Sequence, residues 1–129
     1  MSEPIEYLDL DDLIELTILL LGEPPPIRDI GLLGAAAARP QTAAFGEDAY
    51  TDVWAKSAAL LQSILKNHAL IDGNKRLGWL ATAVFLDLNG QTPSKLSNEV
   101  VYDLVYGVAS GELEVDEIAS LIRAAVEDV

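Results

Sequence analysis

The sequence predicts an all-α fold, a single compact domain of about six helices around a buried central helix. Apolar residues recur three and four positions apart through most of the chain, which is the spacing of one helical face. Asp and Ser residues stand just before several of these stretches, where helix N-caps are expected. No segment shows the sustained alternation of a half-buried strand. The length of 129 residues suits one domain, so we predict a single unit over 1–129.

Caps and breaks divide the chain into its predicted helices. Asp9 is a suitable cap for the first helix, Gly22 lies just past its end, and three prolines follow. Residues 40–50 contain a proline and a glycine without clear periodicity, which predicts a loop. The helices are predicted from Asp9 to Leu21, from Asp29 to near Arg39, from Thr51 or Asp52 to about Lys66, from Asn74 to about Leu88, from Ser97 to about Ala109, and from Val115 to Val126.

The fourth helix is apolar on almost every side, which is typical of a helix buried at the centre of a bundle. We therefore expect the other helices to pack around it. The same pattern predicts almost no solvent exposure at Leu80, Ala81, Val84 and Phe85.

Charge and composition exclude several functional classes. The formal net charge is −13 with eight basic residues, which argues against direct nucleic-acid binding and against an anionic membrane surface. There is no cysteine, so disulfides and thiol chemistry are excluded. The N-terminus lacks the basic region of a secretory signal, and the early apolar run Ile18–Leu21 is too short to cross a bilayer. These features predict a cytoplasmic protein.

The segment His68–Arg76 carries the residues suited to chemistry. It holds the single histidine of the chain, and two of the eight basic residues, Lys75 and Arg76, close it. Gly73 permits a backbone turn that other residues resist, and the next residues open the fourth helix. Free amides at a helix start, the positive end of the helix dipole and two cations together predict an anion site, most naturally for phosphate.

Asp72 and His68 complete a set of groups for group transfer to a hydroxyl. A carboxylate beside a phosphate site suggests Mg²⁺, which binds one or two carboxylates together with phosphate oxygens. Histidine is the side chain suited to removing a proton near neutral pH. Each residue alone has an ordinary structural explanation as a cap, a turn or a surface charge. Their combination within nine positions favours phosphoryl or nucleotidyl transfer.

The stretch His68-Ala-Leu-Ile-Asp-Gly-Asn-Lys-Arg76 resembles the signature of the Fic/Doc family, His-Pro-Phe-x-Asp-Gly-Asn-Lys-Arg in Doc-like members. Ala69 and Leu70 depart from it, in positions that shape the loop. Lys75 and Trp79 are similar to the Doc branch, whereas members that transfer AMP typically have Gly and Arg there. Further segments that resemble the family are Arg28–Leu33, Ala38–Gln41, Phe85–Gly90 and Gly107–Glu112.

The resemblance implies a Doc-type protein kinase, the toxin of a toxin–antitoxin system, with ATP and Mg²⁺ as cofactors. It implies His68, Asp72 and Lys75 as catalytic residues, with His68 as the base and Asp72 at the metal. In the Doc branch the lysine is thought to present the γ-phosphate instead of the α-phosphate. The implied target is a threonine of elongation factor Tu, with inhibition of translation. The implied ATP and phosphate ligands are Lys66, Gly73, Asn74, Lys75 and Arg76.

Two alternatives remain open. One is AMP transfer to a protein hydroxyl, and the other is a non-enzymatic binding module that only sequesters a partner. The family resemblance also implies a Phd-like antitoxin encoded by the adjacent gene. We predict that a basic segment of it is attracted by the net charge of −13 and that an amphipathic helix docks on the N-terminal helix and the loop Pro40–Tyr50.

Overall fold

A computed structural model describes residues 4–127 and has the predicted all-α architecture. Six α-helices, two 3₁₀ turns (Arg39–Gln41 and Pro93–Lys95) and one small hairpin make up this part of the chain. The first three and last two residues of the predicted domain lie outside it. The helices are α1 (Leu10–Leu21), α2 (Ile30–Ala38), α3 (Val53–Asn67), α4 (Asn74–Leu88), α5 (Asn98–Ala109) and α6 (Val115–Glu127).

The N-caps predicted from the sequence are confirmed. Asp9, Asp29, Asp52 and Ser97 each accept a hydrogen bond from the amide three residues further on. The Asp12 carboxylate in turn accepts a hydrogen bond from the Asp9 amide, so α1 begins with a reciprocal capping box. Such caps satisfy amides that have no acceptor inside the helix, which is why short polar residues fix the starts of these helices.

The central helix is α3 and not α4, so the expectation that the others pack around the fourth helix was wrong. From Trp54 to Leu65 nearly every side chain of α3 is buried, and the helix packs against α2, α4, α5 and α6. One core cluster joins α3 to α1, α2 and α4, and a second joins it mainly to α5 and α6. Helices α3 and α4 are both apolar on most sides, and this pattern alone does not show which of the two is central.

The exposure predicted along α4 is correct for two of four residues. Ala81 and Phe85 are fully buried, at 0% exposure, whereas Leu80 and Val84 are only partly buried. Val84 packs at the edge of the first core cluster, and Leu80 lines an open groove between α4 and α5. That side of α4 is apolar because it forms a groove, not because another helix covers it.

The segment 40–50, predicted as a loop, contains a 3₁₀ turn and a hairpin. Pro40 lies at the start of the 3₁₀ turn, a position where its missing amide is not needed. Strands β1 (Ala43–Ala44) and β2 (Glu47–Asp48) then pair antiparallel around an exposed tip. Two-residue strands are too short to produce alternation in the sequence, which is why the pattern did not indicate them.

Among residues 4–127, no helix combines the length and the apolar character needed to cross a membrane.

Candidate active site

The loop between α3 and α4 begins with a left-handed residue. His68 ends α3 with φ 49° and ψ 47°, a conformation that costs a non-glycine residue free energy. The Arg28 guanidinium donates a hydrogen bond to the His68 carbonyl oxygen. The amides of Arg28 and Asp29 both donate to the Ala69 carbonyl, at 2.8 and 3.0 Å. The segment that opens α2 therefore holds the backbone of the motif loop.

The interior of the loop is fixed by burial and by one side chain. Ala69 and Leu70 are 4% and 1% exposed and belong to the first core cluster. The Asn74 amide group bonds Leu70 twice, accepting from its N–H and donating to its carbonyl, both at 3.0 Å. Ala69 and Leu70 depart from the family signature, yet both are packed within the core and bound to their neighbours.

Gly73 connects the loop to α4 and lies against α1. Its φ is 87°, and a Cβ at this position would be 2.7 Å from Leu21 Cδ1. The positive φ disfavours any other residue here, and a Cβ would require the Leu21 side chain to shift. Glycine at position 73 therefore lets the loop lie against α1 without displacing Leu21.

The predicted residues His68 and Asp72–Arg76 line one cleft of about 340 Å³ at the start of α4. Leu65, Ile71 and Ala109 complete its walls. Lys66 is exposed in the last turn of α3 and is not among the residues that line the cleft. The structure thus brings together every predicted site residue except Lys66.

Positive charge dominates the helix end of the cleft. Asp72 Oδ1 accepts the Gly73 amide at 2.9 Å, while its Oδ2 lies 3.8 Å from Arg76 Nη2 in a loose, exposed ion pair. Lys75 forms no ion pair with a carboxylate of the described chain, and its Nζ lies 5.2 Å from the centre of the Tyr106 ring. Together with the first amides and dipole of α4, this arrangement suits an anion.

Of the acidic residues that the structure describes, Asp72 alone lines the cleft. Over residues 4–127, no group of three or more His, Asp or Glu side chains could hold a metal ion by itself. A single exposed carboxylate is nonetheless a hard oxygen donor, and Mg²⁺ in nucleotide sites takes most other ligands from phosphate and water. The donor set fits a magnesium ion that arrives with a nucleotide, rather than a resident metal.

An apolar groove of about 540 Å³ adjoins the cleft, and Lys75 and Arg76 line both. It runs between α4 and α5 and reaches Leu20 of α1. Tyr102 and Tyr106 of α5 stack with ring centres 4.3 Å apart and planes 28° apart, and both rings are about half exposed. Trp79 faces this groove, so the position associated with Arg in AMP-transferring members carries an aromatic ring here.

Sequence reasoning assigned no role in the site to Arg28, Leu21 or Tyr106. Each lies far along the chain from the residue that it contacts, and helical periodicity carries no information on such contacts. The available signal was the resemblance at Arg28–Leu33, which marked this segment as shared with the family without indicating its contact to the loop.

Comparison with known proteins identifies the family of the chain. Residues 7–86 match the model of the Fic/DOC family. The chain is 45% identical over 116 residues to the toxin Doc of Mycolicibacterium smegmatis, covering 89% of each chain. It is 30% identical over 99 residues to the protein kinase Doc of Escherichia phage P1, covering 77% of this chain and 76% of that one. The chain therefore belongs to the Fic/Doc family.

Proposed function

We propose that this chain is the toxin of a toxin–antitoxin pair, and that it transfers the γ-phosphate of ATP to a threonine of elongation factor Tu, so that translation is inhibited. The observation that carries the proposal is the cleft in which His68 and Asp72 face the cationic start of α4. The names of the two relatives, a toxin and a protein kinase, support the same assignment.

In this proposal His68 acts as the general base. Its backbone is fixed by Arg28 and the buried loop, while its side chain is exposed at the cleft. The imidazole accepts the proton of the threonine hydroxyl as the hydroxyl oxygen bonds to the γ-phosphorus. The bond between that phosphorus and the bridging oxygen breaks, and ADP leaves.

The start of α4 is the proposed phosphate cradle. Lys75 and Arg76 provide charge, and Gly73 lies in the cleft lining where α4 begins and its first amides have no acceptor inside the helix. The Asn74 side chain is already bound to Leu70, so its proposed contact is through its backbone N–H. Lys66, outside the cleft lining, is the least supported of the proposed ligands.

Asp72 is the proposed magnesium ligand, together with phosphate oxygens. When bound, the ion would neutralise charge on the phosphates. We expect Asp72→Asn to abolish transfer while thermal unfolding stays unchanged, because the side chain is 89% exposed. The matched control is Asp87→Asn, an exposed carboxylate near the other end of α4. Full activity of the Asp72 variant would remove the carboxylate from the mechanism.

Labelled ATP separates the proposal from its alternatives. Purified elongation factor Tu is incubated with the chain and ATP labelled in either the α- or the γ-phosphate, and treated lysate is examined by mass spectrometry for added phosphate or AMP. The proposal requires γ-label on threonine. Transfer of α-label would establish AMP transfer, which the combination of Lys75 and Trp79 opposes. Toxicity that survives loss of His68 would establish a non-enzymatic binding module.

The proposed partner is a Phd-like antitoxin encoded by the adjacent gene. Exposed apolar side chains at the predicted surfaces, Phe45 on the hairpin and Leu19 on α1, are consistent with a docked helix. The net charge of −13 would accelerate association with a basic segment. We expect the association rate to fall as salt rises over roughly 0.05 to 0.5 M, where the Debye length shortens. A rate independent of salt would contradict the electrostatic part.

A further inference from the structure

Lys75 stands at the boundary between the cleft and the apolar groove. Its side chain lines both, and its ammonium lies over the Tyr106 ring, with Nζ 5.2 Å from the ring centre. Arg76, the neighbouring cation, has Asp72 as an ion-pair partner, whereas no such pair involves Lys75 within residues 4–127. The aromatic face of Tyr106 is therefore the negative surface that the Lys75 ammonium meets.

The Tyr106 ring is supported by a neighbouring ring and by the anchoring of its helix. It stacks on Tyr102, one turn earlier in α5, at 4.3 Å between ring centres. The opposite side of α5 is anchored in the second core cluster through Leu104, Val105 and Val108. Lys75 in contrast has a flexible four-carbon stem that loses much rotamer freedom when its end is fixed. The Tyr106 ring can thus restrict the Lys75 ammonium to one position.

We propose that Tyr106 is a positioning residue that holds the Lys75 ammonium at the edge of the cleft, ready for the phosphates of a nucleotide. This inference rests on the proposed function, because it assigns to Lys75 the orientation of ATP. Tyr106 itself belongs to the groove lining and is not among the residues that line the cleft. Its effect on transfer passes through Lys75.

The kinetic test is a double-mutant cycle between Tyr106→Leu and Lys75→Met. Loss of an exposed cation–π contact should lower kcat/KM for ATP about two- to fivefold. The share of AMP among the transferred groups should rise, since a mobile lysine orients the nucleotide less strictly. In the Lys75→Met background, Tyr106→Leu should have no further effect. An equal loss in both backgrounds would overturn the proposal, because a merely structural role of Tyr106 does not depend on Lys75.

Two controls separate the ring face from the rest of the side chain. Tyr106→Phe keeps the ring and should restore wild-type kinetics and product ratio. Tyr102→Leu removes similar aromatic area from the same helix without touching the lysine, and should have less effect than Tyr106→Leu. If Tyr102→Leu lowers kcat/KM as much as Tyr106→Leu, and does so equally in the Lys75→Met background, the effect reflects packing of α5 and the proposal fails.

A spectroscopic readout separates failure of this inference from failure of the proposed function. With lysines labelled at ¹³Cε, the Lys75 signal, assigned by its loss in Lys75→Met, should be shifted upfield by the Tyr106 ring current. The shift should vanish in Tyr106→Leu and persist in Tyr106→Phe. An unshifted wild-type signal overturns the contact whether or not the protein transfers phosphate. If the shift is present but wild type transfers no phosphate, the proposed function fails, and the cycle is measured on ATP affinity, where additivity would overturn the positioning role.

Discussion

Within residues 4–127, two turns contain a non-glycine residue with positive φ, and they are stabilised in opposite ways. Phe45, with φ 54°, forms the tip of the hairpin, and Gly46 after it has φ 81°. Two successive positive φ angles are what a type I′ hairpin turn requires, so the conformation follows from local turn geometry. His68, with φ 49°, ends a helix, and its conformation depends on contacts from Arg28 and from the buried residues that follow.

The comparison teaches where backbone strain relates to function. A left-handed non-glycine residue costs about 1 to 2 kcal/mol and persists where its surroundings impose it. At the hairpin tip nothing covers the strained residue, since Phe45 is fully exposed. At the motif loop, tertiary contacts fix the backbone and leave the imidazole free at the cleft. We infer that the fold maintains the His68 conformation for its side chain.

Replacing each strained residue with glycine tests this contrast most strongly. His68→Gly and Phe45→Gly should both leave stability unchanged or raise it by up to about 1 kcal/mol, because glycine adopts positive φ without cost. The rate should fall two to four orders of magnitude in His68→Gly alone, as expected for loss of a general base. Urea unfolding and single-turnover kinetics measure the two effects. A collapse of ATP affinity in His68→Gly would identify the side chain as a ligand instead of a base.

The glycines of the two turns provide the next test. Gly73→Ala combines positive φ with a contact of 2.7 Å to Leu21, so we expect a loss of about 2 to 4 kcal/mol in unfolding free energy. Gly46→Ala, at φ 81° with no atom within 4 Å of a new Cβ, should lose only about 1 kcal/mol. If thermal unfolding shows the same loss of stability in the two variants, Leu21 of α1 moves to accommodate the new methyl group.

Asn74→Ala removes both side-chain bonds to Leu70, in a part-buried setting. Leaving the Leu70 amide and carbonyl without these partners should cost about 1 to 3 kcal/mol and loosen the loop, so activity should fall with stability. Asn67→Ala is the matched control, since Asn67 makes one exposed bond, to the Leu32 carbonyl at 3.2 Å. Hydrogen exchange at Leu70 measures the loosening, and protection equal to wild type would argue against this role.

The smallest expected effect concerns Lys56, which ties the hairpin to α3. Its side chain is 2% exposed and Nζ lies 3.3 Å from Asp48 Oδ2. Burial lowers the pKa of Lys56, but Tyr7 and Asp48 together raise it above the usual 10.5. A raised folded-state pKa means that the contribution to stability is present below about pH 10.5 and is lost as pH rises through the raised value.

Lys56→Met is the variant that measures this contribution. The wild type should lose stability relative to the variant as pH increases above 10.5. At neutral pH the two should differ little, because the attraction between the buried ammonium and the exposed Asp48 carboxylate is largely offset by the desolvation of Lys56. Unfolding by urea at a series of pH values gives the difference. A difference that does not change across this range would mean that Lys56 is not a source of pH-dependent stability.

The features that were predicted correctly from the sequence are those set by residues close together in the chain. The caps at Asp9 and Asp52 and the bounds Asn74–Leu88 agree with the structure because a cap or a break acts within one helical turn. Grouping of the site residues was predicted for the same reason, as they are neighbours in the chain. The centre of the bundle was predicted wrongly and the anchor at Arg28 was not predicted, because both depend on contacts between distant segments.

The anchoring of the motif loop also determines when the site can form as the chain folds. Arg28 and His68 are 40 residues apart, so their contact closes a long loop whose entropy must be offset by burial of α1, α2 and α3 together. A nascent or partly folded chain carries the complete motif but lacks the geometry of the site. Activity should therefore appear only with the final tertiary structure.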